Sequence, residues 1–248
     1  MDLASLMGYG MAATVILYGM GQNRNNFINH EGLAIVVGGT VALLLISFSM
    51  PQLFRALKAL RLVFFPSKLP SDQEIVSEMM SLAEQARRGG ISSMKPPAKE
   101  SLSFLAFAVR TALEKPELDN AKRVLEDALT QQESRHAKVT GVFVSMAALG
   151  PLLGLLGTVI GIIQVLRNIS NPKVLGPSMA VALTATFYGI AISAVIATPI
   201  ANKLTERSAS ERRTWMMIMV GILDILGGAI PLEVERHLQA FSQSKAVK

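Results

Sequence analysis

The sequence is poor in charged and in reactive side chains. Of its 248 residues, 50% are hydrophobic and 17% are Asp, Glu, Lys or Arg, whereas a soluble domain carries about 25% charged residues. The mean hydropathy of +0.40 points toward a membrane. The absence of cysteine excludes disulfide scaffolds, thiolate metal sites and cysteine nucleophiles. Only three histidines are present, far apart in the chain, so the sequence does not predict an enzyme.

The missing charges are concentrated in four stretches without any Asp, Glu, Lys or Arg. These stretches are 21, 23, 28 and 29 residues long, and about 20 apolar residues suffice for a helix to cross a bilayer. The first is not a typical signal peptide, because its leading charge is Asp2 and its first basic residue is Arg24. The sequence therefore predicts an all-α membrane protein with four spans, the last two continuing as helix beyond the bilayer. The stretches are 3–23, 32–54, 139–166 and 174–202.

The net charge of +6 comes from basic residues that flank the predicted spans and needs no nucleic-acid ligand. Cytoplasmic flanks carry an excess of Lys and Arg, which places the region after span two and the tail in the cytoplasm. With an even number of spans, the N-terminus is also cytoplasmic. The flanking residues are Arg55, Lys58, Arg61 and Lys68 after span two, and Lys203, Arg207, Arg212 and Arg213 after span four.

The 84 residues between spans two and three, with 14 basic and 11 acidic side chains, have the composition of a soluble domain. Capping and helical spacing predict helices over 72–89 and 101–113, and a third from about 118 into span three. The apolar run 215–226 contains Asp224, which predicts an amphipathic helix on this domain or at the membrane surface. The predicted organisation is a transmembrane hairpin, a cytoplasmic helical domain, a transmembrane pair, and a cytoplasmic helix and tail. Their boundaries are 1–54, 55–138, 139–202 and 203–248.

The predicted spans contain hydroxyls and the amide of Gln164, but no carboxylate, histidine or basic residue. Ion pathways usually need an ionisable group at depth, so a partner must supply one if this chain moves ions. A self-contained channel or transporter is disfavoured for the same reason, and because paired broken helices are missing.

Span three carries a stripe of glycines on one helix face, which allows another helix to approach closely. That helix belongs either to the same chain or to another subunit. In span four, Thr184 and Thr186 lie about 200° apart around the helix, and each can also bond to a carbonyl four residues earlier. Pro151 and Pro199 near the cytoplasmic span ends predict kinks or hinges. The stripe consists of Gly150, Gly154, Gly157 and Gly161.

These segments resemble the MotA/PomA family of bacterial flagellar stator subunits, within the wider group of TolQ and ExbB. Residues 32–40 resemble the family's IVVGG segment, and 150–161 resemble the third-helix signature of the whole group. The most specific match, 171–204, is closer to MotA/PomA than to TolQ or ExbB. TolQ-like proteins have three spans, whereas two spans on each side of a cytoplasmic domain are the flagellar arrangement.

The resemblance implies a motor in the bacterial inner membrane that uses no cofactor. Five copies would surround a dimer of a MotB/PomB-like partner, whose single membrane helix supplies the essential Asp. Passage of Na⁺ or H⁺ past that Asp would turn the homopentamer, and the cytoplasmic domain would push on the rotor protein FliG.

The resemblance also assigns roles to individual residues. Thr158 and Thr186 match positions that line the ion path, and Thr184 is grouped with them. Pro151 and Pro199 match two prolines linked to torque generation. The rotor-facing residues are Arg87, Arg88 and Lys95.

One position departs from the family pattern. The family usually has Glu where this chain has Lys95, a sign reversal that would repel a partner built for the acid. Three explanations stay open. Glu100 compensates for the missing acid, the rotor surface differs, or the chain drives a non-flagellar envelope process, as in TolQ/ExbB-like energisers or gliding motors. Hydroxyls at Thr158 and Thr186 resemble sodium-driven stators. Proton-driven TolQ and ExbB share the Gly-Thr-Val of span three, so both ions stay open, with sodium favoured.

Overall fold

The computed structural model describes residues 3–22, 24–65 and 69–243, which form helices and turns and contain no β-strand. The all-α prediction is confirmed. Asp2, used above in the signal-peptide argument, and Lys68, used in the topology argument, lie outside the described residues. The helices are α1 (Leu3–Gly19), α2 (His30–Ser47), α3 (Met50–Phe64), α4 (Asp72–Gly89), α5 (Ser103–Glu114), α6 (Leu118–Arg167), α7 (Pro172–Leu226) and α8 (Pro231–Gln243).

Three helices of the described chain are long and apolar enough to cross a membrane. They are α2, α6 and α7, with 18, 50 and 55 residues. Helix α1 has 17 residues and a length of about 25 Å, at the short end of what a bilayer requires. Helix α1 is therefore not among the candidate spans, and the prediction that it forms the first of four spans stays a prediction.

The second charge-free stretch is divided between two helices. Helix α2 ends at Ser47 because Phe48 adopts extended backbone angles, with φ −131° and ψ 146°. Helix α3 then begins at Met50 with Pro51 in its first turn, where the missing amide hydrogen of proline is tolerated. The prediction of one span over 32–54 is corrected to a helix that stops at residue 47.

The helices form two compact units. One comprises 3–65 and 136–205 and is called the apolar unit; the other comprises 69–135 and 206–243 and is called the charged unit. Helices α6 and α7 contribute to both. Helix α3 packs in the apolar unit, where Ala56 and Val63 join a cluster with Val142 and Ile200.

The charged unit encloses a core of large apolar side chains from α4 to α8. Leu105, Leu125 and Ile222 are fully buried there, and the Trp215 and Phe104 rings stack at 3.9 Å. The apolar run 215–226 thus packs on this unit, as one of the two sequence predictions has it. The capping signal predicted at the start of α4 is also confirmed, since the Ser71 hydroxyl accepts from the Glu74 amide.

Candidate functional site

The centre of the apolar unit is a close contact between α6 and α7. A Cβ atom on Gly150 would lie 2.7 Å from the Gly189 carbonyl oxygen, and one on Gly161 would lie 2.7 Å from the Ala182 Cβ. Gly154 and Gly157 face Ala185 in the same way. The glycine stripe therefore packs against a helix of the same chain, with backbone atoms in contact.

Helix α2 packs on this pair through two further glycines. A Cβ on Gly32 would meet the Thr184 hydroxyl at 2.9 Å, and one on Gly39 would meet Leu153 at 2.9 Å. The Tyr188 hydroxyl accepts from the Asn29 amide at 2.9 Å. This contact holds the turn before α2 against α7.

The three predicted ion-path threonines do not share one surface. Thr184 is 6% exposed and lies against α2, whereas Thr158 and Thr186 are partly exposed. Thr186 also borders the glycine stripe, since its Cα would lie 3.1 Å from a Cβ on Gly154, and Thr158 lies one turn beyond Gly154 on α6. The fold thus separates Thr184 from the other two.

All three threonine hydroxyls donate to carbonyl oxygens of their own helix. Thr158 donates to Leu155 at 2.6 Å, Thr184 to Ala180 at 2.7 Å and Thr186 to Ala182 at 3.3 Å. A hydroxyl that donates its hydrogen keeps lone pairs. The oxygens of Thr158 and Thr186 can therefore still contact a cation.

Pro151 has a compensating partner that sequence reasoning missed. Because proline has no amide hydrogen, the carbonyl of Ala147, four residues earlier, loses its usual donor. The Ser193 hydroxyl of α7 donates to that carbonyl at 2.7 Å. The only sequence signal was a serine on the same face of span four as Gly189.

Pro199 lies at a second irregularity. It lies two residues after a π-helical turn over Ala191–Ala197, and a similar turn in α2 covers Ala34–Gly38. Such turns frequently occur at functional sites. Pro199 and Pro151 thus both disturb the regular hydrogen bonding of the helices that carry the glycine contact.

The predicted rotor-facing residues lie together at the C-terminal end of α4. Helix α4 is followed by Gly90, with φ +77°, and the chain then folds back. Gln85, another residue that sequence reasoning missed, anchors this return, since its side-chain oxygen accepts from the Lys95 amide at 3.0 Å. Arg87, Arg88 and Lys95 are all exposed.

The electrostatics of this end of α4 are basic. Arg88 pairs with Glu84, one turn earlier, while Arg87 has no ion-pair partner among the described residues. Basic side chains in the last turn also interact favourably with the helix dipole. The fold thus presents a basic surface, defined by Arg87, Arg88 and Lys95, that a partner with acidic groups would match.

Acidic, basic and imidazole side chains are absent from the described parts of the predicted spans. The described parts of the four charge-free stretches contain no carboxylate, imidazole or basic group. Within the described ranges, no cluster of three or more His, Asp or Glu side chains could hold a metal ion. The chemistry that the charge-free stretches offer is therefore limited to hydroxyl, amide and carbonyl groups.

Comparison with known proteins places the chain among similar sequences. Residues 96–217 match the MotA/TolQ/ExbB proton channel family. The chain is 30% identical to the chemotaxis protein PomA of Vibrio alginolyticus, over 97% of this chain and 95% of that protein.

Two solved structures have the same fold. The flagellar MotAB stator complex of Bacillus subtilis superposes with a TM-score of 0.82 at 26% identity, covering 96% of this chain and 95% of that one. The MotAB structure of C. jejuni gives a TM-score of 0.84 at 24% identity, covering 97% and 96%.

Proposed function

The chain belongs to the MotA/TolQ/ExbB proton channel family, in its MotA/PomA branch, and on that basis we propose that it is the torque-generating subunit of a flagellar stator. Its family makes it a component of a stator ion channel and not an enzyme. In this proposal the chain provides the walls of the ion path. A single-span partner of the MotB/PomB type provides the membrane Asp.

The observation that carries the proposal is the combination of hydroxyls with a lack of ionisable groups in the spans. Thr158 and Thr186 border the α6–α7 contact and stay partly exposed, so their oxygens can replace water around a passing cation. A cation at this depth still needs a negative counter-charge. No described part of the spans carries one, which is the reason for a partner carboxylate.

Thr184 is proposed to support the path indirectly. Its side chain is buried against Gly32 of α2, and its hydroxyl donates within its own helix. These contacts favour a role in positioning α2 over direct contact with the ion.

The first experiment tests the partner and the path together. We expect the tagged full-length chain to co-purify with a single-span protein that has an Asp in its membrane segment. Thr158→Ala and Thr186→Ala should lower ion flux and swimming, whereas Thr14→Ala removes a hydroxyl bonded in the same way in α1 and should leave both near wild type. Co-purification without such a partner, or an equal effect of all three variants, would contradict the proposal.

The coupling ion is proposed to be Na⁺, with H⁺ as the alternative. Two hydroxyl oxygens suit a cation that sheds its water, whereas a proton needs only the partner's carboxylate. Swimming should therefore stop when sodium is replaced by potassium. Swimming that continues without sodium but collapses on addition of a protonophore would assign the proton instead.

Five copies of the chain are proposed to surround the partner dimer in the bacterial inner membrane, with both termini in the cytoplasm. A single copy leaves large apolar side chains of α6 exposed, among them Leu152, Leu155 and Leu166. Lipid and neighbouring copies would cover such surface. Cross-linking in membranes should give a ladder that ends at the pentamer.

Pro151 and Pro199 are proposed to act as the flexible points at which ion passage changes the helices. Each removes a backbone hydrogen bond next to the α6–α7 contact. Replacement of either by Ala should reduce torque, measured by tethered-cell rotation, while ion flux decreases less.

The basic surface at the end of α4 is proposed to contact the rotor protein FliG. Arg87, Arg88 and Lys95 would then face acidic groups of the rotor. Lys95→Glu should weaken swimming with the native rotor. Restored or improved torque in that variant would argue against an interface adapted to lysine.

Lys95 also favours a second candidate function. A lysine where the family has Glu fits a stator that drives a different target, as in TolQ/ExbB-like energisers or gliding motors. A deletion strain that swims normally but shows an envelope or gliding defect would support this candidate over the flagellar one.

A further inference from the structure

The apolar unit contains a groove between α1 and α7, and Pro199 is the only residue of its lining to which the proposed function gives a role. Its volume is about 390 Å³. On α1 it is bordered by small residues one turn apart, and a Cβ on Gly8 would meet no atom within 4 Å. The lining residues are Ala4, Ser5, Gly8, Tyr9, Ala12, Val63, Ala194, Val195, Pro199 and Lys203.

The polar groups of the groove are few and chemically distinct. The Tyr9 hydroxyl oxygen is buried and has no hydrogen-bond partner among the described residues. A buried donor without an acceptor is unfavourable, so an oxygen acceptor brought by a ligand would stabilise this arrangement. Lys203 adds a cation to the same lining, while the other walls are mostly apolar.

The length of the groove matches one leaflet of a membrane. Ala4 and Ala12 are eight residues apart on α1, a rise of about 12 Å. The hydrocarbon half of one leaflet is about 15 Å thick. One acyl chain can therefore lie along the small residues of α1.

Lys203 in the lining, together with basic residues on the adjoining helix α3, favours an anionic head group. Arg55, Lys58 and Arg61 are exposed on α3, the helix that contributes Val63 to the lining. Basic pockets between transmembrane helices bind anionic lipid head groups on the cytoplasmic side. A zwitterionic lipid would gain less from this surface.

We propose that this groove is a binding site for one anionic phospholipid. The acyl chain lies along Ala4, Gly8 and Ala12, an ester carbonyl accepts from Tyr9, and the phosphate pairs with Lys203. The inference depends on the membrane location given under the proposed function, but on neither the coupling ion nor the partner.

The test uses the full-length chain in nanodiscs that contain phosphatidylcholine, with or without phosphatidylglycerol. Each lipid is supplied in a photoactivatable form, and cross-links are mapped by mass spectrometry. We expect phosphatidylglycerol to label peptides 4–12 and 194–203 several-fold more than phosphatidylcholine does. Lys203→Gln should lower that preference about fivefold, and Tyr9→Phe should lower labelling about threefold.

Two further variants separate filling of the groove from general damage. Gly8→Leu should fill it and remove the labelling. Gly10→Leu, on the same helix but outside the lining, also has open space around its Cβ and should keep the labelling. Lys173→Gln, near the other end of the span, is the matched charge control and should keep the lipid preference.

Equal labelling by the two lipids would overturn the proposal, because it would indicate ordinary boundary lipid. A Gly8→Cys variant that cross-links to a second copy, with no lipid label, would overturn it in favour of a subunit contact. Loss of swimming or of ion flux bears only on the stator role, since lipid labelling is measured on the chain without either.

Discussion

The two units of this chain hold their helices together in opposite ways. In the charged unit, large side chains such as Leu105 and Ile222 are completely buried. In the apolar unit, α6 and α7 touch through Gly150, Gly189 and their neighbours, while the large side chain of Leu155 is 62% exposed. The same residue type thus lies inside one unit and on the surface of the other.

The solvent of each unit explains this difference. In water, burial of large apolar side chains is the main favourable term in folding. Between lipid-facing helices that term is absent, and close van der Waals contact of small residues takes its place. Hydrophobicity alone therefore predicts burial in the charged unit but not in the apolar unit.

The largest expected effect is that of Leu105→Ala. Truncation of this fully buried side chain should cost about 2–5 kcal/mol. The matched Leu155→Ala in the apolar unit should change stability by less than about 0.5 kcal/mol. Chemical unfolding of the purified chain can be followed by the fluorescence of Trp215, the single tryptophan, which stacks on Phe104. Equal losses would show that both units use the same kind of core.

The next effect in size is that of Gly189→Ala. The added methyl group would collide with the backbone of Gly150, which has no side chain to move aside, and should cost about 1–3 kcal/mol. Gly176→Ala in the same helix has open space around its Cβ and should gain up to about 1 kcal/mol from helix propensity. Melting temperature in detergent is the measurement. A Gly189→Ala variant as stable as the Gly176→Ala control would contradict the conclusion that close backbone contact holds α6 and α7 together.

A smaller effect is expected for Ser193→Ala. It removes the donor that replaces the missing amide of Pro151 at the Ala147 carbonyl, and such bonds between membrane helices average about 0.6 kcal/mol. Pro151→Ala restores the amide donor. A double-mutant cycle should therefore give a smaller loss from Ser193→Ala in that background. Additive losses would mean that the serine does not compensate for the proline.

The smallest effect concerns an exposed ion pair of the charged unit. The hydrogen bond from Lys99 to Glu74, and the charge of that carboxylate, raise the pKa of Lys99 above its ordinary value of 10.5. Because the pKa of Lys99 is higher in the folded than in the unfolded chain, its interaction with Glu74 stabilises the folded state at pH values below the unfolded pKa. This contribution is lost as the pH rises through the folded pKa.

NMR titration of the Lys99 side chain measures this shift. Glu74→Gln should lower the pKa toward 10.5, with little change in overall stability because exposed pairs contribute little. Glu78→Gln is a weaker perturbation, since Glu78 acts on Lys99 only through its charge. Equal shifts in the two variants would exclude the Glu74 hydrogen bond as the main cause.

Local signals were sufficient for several features of the fold. The Ser71 cap and the Gly89-Gly90 end of α4 involve neighbouring residues, so their geometry follows from short-range sterics and hydrogen bonds. Continuation of α6 from Leu118 into span three follows from the absence of Gly and Pro between Leu118 and Gly141. The end of α2 at Ser47 was missed, because the extended Phe48 breaks a run that is uniform in hydrophobicity.

The candidate site was only partly predictable. The ion-path assignment of Thr158 and Thr186 comes from the family resemblance and stays a prediction, whereas helical geometry by itself separates Thr184 from Thr186. The roles of Gln85 and Ser193 could not be predicted, because each depends on an acceptor or donor that another segment of the chain provides.

By itself, the sequence determined which segments are free of charge and which are charged like a soluble domain. This distinction is informative because a charged side chain is too costly to place in hydrocarbon. It also predicted that a carboxylate for ion coupling would have to come from a partner protein, because the charge-free stretches contain none. Only the tertiary structure decided which surface each glycine and threonine faces. Those choices depend on the approach of α2, α6 and α7 to within backbone contact, a distance that no local pattern encodes.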